Sequence, residues 1–353
     1  MARLLLAGYF GCGNHGDDAI LLGFLEGIRS LGHEVSVLAS KPEKMVNIYG
    51  LRAVPRMDPG QVGSAMDECD ALVFPGGSIF QDVSSVRSTA YYAGLVKAAK
   101  KRGKKAVLLA QGVGPLNTFF GRAFARKAFQ RADLVTVRDP ESAKALHDLG
   151  VRRQVLTGGD MAYLLPAPKP GEGEAFGAGG MKSVVLAPRP YGKDGRVVEL
   201  FSDLTRRLFQ AGFAATLVAM DEQMDVPLIQ KIAEKNGGKV PELKGVSGPI
   251  VLQERLSRME GVIAMRLHAG ILAANSLVPA YMISYDPKVA AFANSVGAPT
   301  PPRIETVDAA RVIDGFQTLV KDRDRRVEDL RGRLPALRKA AEVHVEALAR
   351  LLG

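Results

Sequence analysis

The chain has 353 residues, 47% of them hydrophobic and 24% charged, enough for one large or two medium domains, and no apolar run reaches the roughly 18 residues a membrane span needs. A net charge of +10 asks for an anionic partner, but no tryptophan and 6% aromatic residues leave too few stacking platforms for a single-strand nucleic-acid binder. Cys12 and Cys69 lie far apart, which excludes a disulfide framework and a cysteine metal motif.

Short apolar runs alternate with longer helical ones. The first run, residues 3–9, reads as a strand; its apolar stretch at 4–7 is too short for a signal peptide, so the cytoplasm is the expected compartment. A helix over 17–32 and strands over 33–40 and 71–77 follow. Then come a helix over 88–103, a strand over 105–115, a helix over 122–132, a strand over 133–139, a helix over 140–150 and a strand over 152–160. Such alternation predicts βαβ units and a parallel sheet. Residues 166–180, rich in Pro and Gly, read as a linker between a first domain at 1–165 and a second at 181–320. The second repeats the pattern, with strands over 183–190, 214–220, 261–267 and 280–286 and helices over 196–212, 225–238 and 269–277. In the helical tail at 321–353, Leu330, Leu334, Leu337, Ala341, Val345 and Leu348 form one apolar stripe, expected to pack back on a domain. The expected class is α/β: two doubly wound, Rossmann-like parallel-sheet domains facing across a cleft, with ligands beyond the carboxyl ends of the strands.

Gly11, Gly13 and Gly16 match the dinucleotide spacing G-x-G-x-x-G. Asp17 and Asp18 follow at once, and two carboxylates at a helix start would repel a pyrophosphate. The next strand ends "VLASK", without the acid that would hold a ribose. Asn14, His15, Asp17 and Asp18 on a close-approaching glycine loop suit an uncharged polyhydroxylated group such as a sugar; alternatively an aspartate merely caps the helix.

Cations mark other strand ends. Arg138 stands at the end of the run at 133–139, Arg189 at the end of that at 183–190, and Arg266 at the end of that at 261–267 with His268 just after it, before a helix; Lys288 follows the strand at 280–286. Guanidinium, imidazole and helix start together make an anion site. The competing readings are a local pair of Arg138 with Asp139 or Glu141, an interdomain salt bridge at Arg189 and a packing role for His268.

The stretches "GYFGCGNHGDDAIL", "FPGGSIFQD", "QGVGP", "VTVRDPES", "GGDMA" and "MRLHAGILAANSLVPAYMISYDPK" resemble, in that order, the polysaccharide pyruvyl transferases, in particular the bacterial cell-wall type known as CsaB. The resemblance implies a GT-B-like fold and transfer of the pyruvyl group of phosphoenolpyruvate to a sugar as a ketal. It implies as acceptor a lipid-linked precursor of a secondary cell-wall polymer carrying N-acetylmannosamine, the ketal then serving surface-layer anchoring. It places Arg138, Arg266, Leu267, His268 and Lys288 on the donor and Asn14 near the acceptor. Arg189 is expected beside the donor set, and Gly13, His15, Gly77, Ser78 and Gln81 on the acceptor side.

Ketal formation needs a proton on the donor's methylene carbon. His268 is the expected acid, since a cationic imidazole donates near neutrality, and Asp17 or Asp18 the expected base. No metal and no cofactor are expected, because the chain holds no C-x-x-C, H-x-x-x-H or strand-end D-x-D. Nucleic acid is not an expected partner; a peripheral contact with the inner membrane face stays open. The rival enzyme is a GT-B glycosyltransferase or nucleotide-sugar epimerase.

Overall fold

A computed structural model describes residues 1–83, 85–168, 180–193 and 195–353. The chain divides into two compact units, one formed by Met1–Leu165 with Leu337–Gly353, the other by Pro166–Ala336. Most of the expected linker at 166–180 lies outside the described residues.

The first unit is built on eight strands: β1 (Arg3–Ala7), β2 (Glu34–Ala39), β3 (Arg52–Pro55), β4 (Ala71–Phe74), β5 (Gly77–Phe80), β6 (Lys105–Val113), β7 (Leu134–Val137) and β8 (Leu156–Thr157). They run parallel in the order β3-β2-β1-β4-β6-β7-β8, with β5 paired to β6. Leu5 of β1 faces Ser36 on one side and Leu72 on the other. Leu4, Leu5 and Leu6 are all buried, as a central strand covered on both faces requires. Around the sheet lie α1 (His15–Gly27), α2 (Pro42–Tyr49), α3 (Pro59–Glu68), α4 (Val86–Lys101), α5 (Phe119–Arg131) and α6 (Pro140–Asp148).

Residues 41–70 carry elements the periodicity did not mark. In α2 only Met45 is buried, so no apolar stripe appears; β3 is four residues long with no residue fully buried. The expected strand at 71–77 is two elements, because Gly76 (φ +150°) and Gly77 (φ +92°) turn the chain between β4 and β5. The expected strand at 152–160 shrinks to the two residues of β8.

The second unit holds, among its described residues, four parallel strands: β9 (Lys182–Ala187), β10 (Phe213–Leu217), β11 (Gly261–Ala264) and β12 (Ala280–Met282). Their order is β10-β9-β11-β12. The carboxyl ends come level, Ala264 facing Ala187 on one side and Met282 on the other. Its helices are α7 (Gly195–Gln210), α8 (Glu222–Lys235), α9 (Pro249–Leu256), α10 (Leu267–Asn275), α11 (Pro287–Ser295) and α12 (Ala309–Lys321). Val184, Leu204, Ile263 and Phe316 are wholly buried in the core between sheet and helices.

The tail is one helix, α13 (Arg323–Leu352), whose last turns belong to the first unit. There Ala341, His344 and Leu348 are buried. A Cβ on Gly158 would stand 2.5 Å from the Ala340 carbonyl oxygen, so only glycine lets α13 approach the loop after β8 this closely. His344 joins that loop, with Nε2 2.8 Å from the Gly159 carbonyl and Nδ1 2.7 Å from the Thr136 hydroxyl of β7.

Candidate functional site

At the carboxyl ends of the first sheet, the loop from β1 turns into α1. Asn14 caps that helix, its side-chain oxygen accepting the N–H groups of Gly16 (2.9 Å) and Asp17 (3.2 Å). His15, the first residue of α1, and Asp18 are buried. Asp18 Oδ1 accepts the Gly11 N–H of the loop containing Gly13 at 3.3 Å, and its Oδ2 accepts the hydroxyl of Tyr49, at the end of α2, at 3.2 Å. Asp17 lies beside the second turn: a Cβ on Gly77 would meet its Oδ1 at 3.1 Å. Gln81 turns its side-chain oxygen to the Val83 N–H at 2.8 Å.

Ser78 belongs to the same rim and accepts a hydrogen bond from Arg138 at 3.0 Å. Arg138 is only 7% exposed and meets Asp139 and Asp160, each at 3.2 Å. Burial opposes its charge, but Asp160 and Asp139 more than restore it and the guanidinium pKa is raised. Its second carboxylate is thus Asp160, from the loop after β8, in place of Glu141. Gly112 packs against this pair, since a Cβ there would stand 2.6 Å from the Ser78 hydroxyl and 2.8 Å from Arg138 Nη2.

In the second unit the strand-end cations lie on neighbouring strands. Arg189 follows β9, with its guanidinium carbon 4.1 Å from the ring centroid of Tyr285, which follows β12. Lys288 Nζ is 5.6 Å from the same centroid and 3.6 Å from Asp286, the residue capping α11. Arg189 Nε is buried with no hydrogen-bond partner. Arg266, between β11 and α10, makes a two-pronged ion pair with Asp225, Nε donating to Oδ2 at 3.0 Å and Nη2 to Oδ1. The Asp225 side chain is 0% exposed and Oδ2 also accepts the N–H groups of Met220 and Asp221 at 3.0 Å. Burial works against the Arg266 charge and Asp225 outweighs it, raising the guanidinium pKa. Leu267 is buried as the first residue of α10, and the half-buried His268 follows it.

The sequence model of the polysaccharide pyruvyl transferases matches residues 14–287. The chain belongs to that family. No curated protein matches it. Solved structures resemble this pyruvyl transferase along nearly its whole length. UDP-GlcNAc 2-epimerase from Neisseria meningitidis, bound to UDP-GlcNAc, has a TM-score of 0.65 at 10% identity, covering 99% of this chain and 100% of its own. Anabaena HepE in complex with UDP-glucose has 0.65 at 12%, covering 99% of each. Escherichia coli ADP-heptose heptosyltransferase II has 0.52 at 13%, covering 92% of this chain and 100% of its own. At such identities the likeness shows the fold alone, and that fold is GT-B.

Three residues around the transferase's sites escape sequence reading. Asp160 and Asp225, which neutralise Arg138 and Arg266, lie 22 and 41 positions away from them. The third, Arg56, follows β3. Its guanidinium carbon lies 5.9 Å from the ring centroid of Tyr9, 4.9 Å from that of Tyr91 and 5.5 Å from that of Tyr92. The test that found Arg189, a cation just after a strand, would have found it had β3 been recognised. Among the described residues no group of three or more His, Cys, Asp or Glu side chains gathers as a metal ion requires. Nor, among them, is any helix long and apolar enough to cross a membrane.

Proposed function

We propose that the protein moves the pyruvyl group of phosphoenolpyruvate onto two hydroxyls of one sugar and releases phosphate. One observation carries the reading. Arg189, Arg266 and Lys288 leave three adjacent parallel strands around Tyr285, next to the start of α10 and His268.

Phosphoenolpyruvate presents a carboxylate and a phosphate. Arg189 and Lys288 supply charge to them, and the start of α10 at Leu267 adds the positive end of its dipole. Asp225 takes two of the five Arg266 N–H donors and fixes the plane of the fork, so the other three point in a set direction. His268 donates its proton to the methylene carbon, which becomes a methyl group, and C2 turns electrophilic. A sugar hydroxyl adds to C2, the C2–O bond to phosphate breaks, and the neighbouring hydroxyl closes the ring. Of the two hydroxyl protons, one replaces that given by His268 and the other leaves with phosphate or the base.

The acceptor is assigned to the first unit, to Gly13, Asn14, His15, Gly77, Ser78 and Gln81. Asp17 is the proposed base, because Asp18 is buried and its oxygens bond the Gly11 N–H and the Tyr49 hydroxyl, whereas Asp17 is half-buried. Arg138 keeps its proposed place on the donor, through the two N–H donors that Asp139, Asp160 and Ser78 leave. The resemblance to the cell-wall type supports a lipid-linked N-acetylmannosamine acceptor.

The test incubates the protein with phosphoenolpyruvate and amino-sugar glycolipids. Equal amounts of phosphate released and pyruvyl mass gained are expected. Turnover of a UDP-sugar with no use of phosphoenolpyruvate would assign the site to the glycosyltransferase or epimerase reading instead.

A further inference from the structure

We infer that Arg56, with Tyr9, Tyr91 and Tyr92, forms a phosphoryl-binding subsite for the acceptor in the first unit. The inference rests on the proposed acceptor role of that unit. Arg56 stands at the carboxyl ends of three adjacent strands. Its own N–H donates to the Ala39 carbonyl at the end of β2, and its Nη1 to the Gly8 carbonyl just after β1, at 3.2 Å. Nη2 donates to the Tyr92 hydroxyl at 3.2 Å, and the Tyr91 hydroxyl donates to the Arg56 carbonyl at 2.8 Å. The position is therefore fixed from four sides.

The charge is not compensated. Arg138 and Arg266 each hold a carboxylate at ion-pair distance. Arg56 is half-buried, and among the described residues no carboxylate pairs with it. Burial opposes its charge, while Tyr92, Tyr91 and Cys12 favour it and the guanidinium pKa is raised, so the cation persists without a carboxylate partner among the described residues. A guanidinium has five N–H donors and two are used here, so a two-pronged contact to an anion remains open. Tyr92 is buried, so its hydroxyl, accepting from Arg56, positions the guanidinium and leaves the ligand to the fork. A tetrahedral phosphoryl group offers two oxygens to that fork. The start of α1, where Asp17 and Asp18 would repel a phosphoryl group, suits the uncharged sugar to which that group is attached, and the charged end falls to Arg56. The ligand class is a sugar phosphate or diphosphate ester.

With eight tyrosines and no tryptophan in the chain, and three tyrosines around Arg56, tyrosine fluorescence reports the site directly; calorimetry gives the affinity. The probes are N-acetylglucosamine 1-phosphate, its neutral methyl glycoside, inorganic phosphate and phosphoenolpyruvate. The sugar phosphate is expected to bind at least about tenfold more tightly than the neutral glycoside, as a charge-assisted contact implies. Arg56→Gln is expected to erase that difference and leave phosphoenolpyruvate binding unchanged. Arg56→Lys keeps charge and fold but not the fork, and is expected to weaken the sugar phosphate about fivefold. Sugar-phosphate binding untouched in both variants would overturn the proposal. So would loss of phosphoenolpyruvate in place of sugar phosphate, or inorganic phosphate binding as tightly as the ester. None of these readouts needs turnover, so a failed pyruvyl-transfer assay and a failed Arg56 site are told apart.

Discussion

At the carboxyl ends of the first sheet, Arg138 is enclosed by Asp139, Asp160 and the Ser78 hydroxyl. At the carboxyl ends of the second, Arg189 lies on the face of Tyr285, with Lys288 near the same ring. Both arginines follow a parallel strand and look alike in sequence. Their surroundings separate them. A buried guanidinium between two carboxylates is held by the framework, since removing it strands the buried Asp160 and the half-buried Asp139. A guanidinium on an aromatic face keeps its charge for a ligand, because the ring attracts the cation without neutralising it. Arg266 combines the two: Asp225 anchors one edge of the fork and leaves the rest. What a strand-end cation can do is thus set by what stands beside it.

The largest effect expected on the second rim is at its acid. His268→Ala should lower turnover by about a thousandfold, within the usual range for a lost general acid, while phosphoenolpyruvate affinity stays within about tenfold. Single-turnover kinetics beside calorimetric titration check both. Substantial turnover in the variant would assign the proton to another group.

Replacing the two arginines tests the contrast directly. Arg138→Gln should destabilise the protein by about 3–5 kcal/mol, because the buried Asp160 loses its cation and the half-buried Asp139 loses a partner. Arg189→Gln should change stability by about 1 kcal/mol or less, the cation–π contact with Tyr285 being lost and no carboxylate among the described residues pairing with it, yet raise the KM for phosphoenolpyruvate about tenfold. Denaturant midpoints and steady-state kinetics on the same samples separate the outcomes. Equal destabilisation of the two variants would remove the distinction between a carboxylate-paired cation and one laid on a ring.

Sequence reading reaches the parts of the molecule where residue pattern and packing coincide. Leu4–Leu6 and Val184–Leu186 are short apolar runs buried on both faces, so β1 and β9 stand out. It fails where an element is too short or too thinly buried to leave a pattern, as in β3 and α2, and Arg56 is lost with β3. It also fails for pairings made by the sheet order. Asp160 reaches Arg138 because β8 lies beside β7, and Asp225 reaches Arg266 from the start of α8; no local spacing announces either. The periodicity of α13 does show an apolar stripe, but not that His344, on its buried side, bonds to the loop holding Asp160.

That histidine gives the smallest expected effect and ties the tail to the first rim. Burial pushes the His344 ring below the ordinary imidazole pKa, with the Gly159 carbonyl and Asp160 acting in the other direction. Nε2–H donates to the Gly159 carbonyl and Nδ1 takes the Thr136 hydroxyl hydrogen, so a neutral ring satisfies both partners. A proton added at Nδ1 would turn that hydroxyl round to accept on an oxygen that already takes the Ala110 N–H at 2.8 Å. Below about pH 6.5 the unfolded chain therefore takes up a proton that the folded protein refuses, and stability falls as pH drops, by at most about 1.4 kcal/mol per pH unit until the folded ring titrates. Above that range the contribution is constant. His344→Gln keeps an amide able to donate to Gly159 and removes the titration. Between pH 7.5 and 5.5 the wild-type protein should lose about 1 kcal/mol more than this variant, read from urea midpoints at the two values. An identical loss in both proteins would place the acid sensitivity elsewhere, in carboxylates such as Asp160 whose pairing with Arg138 weakens on protonation.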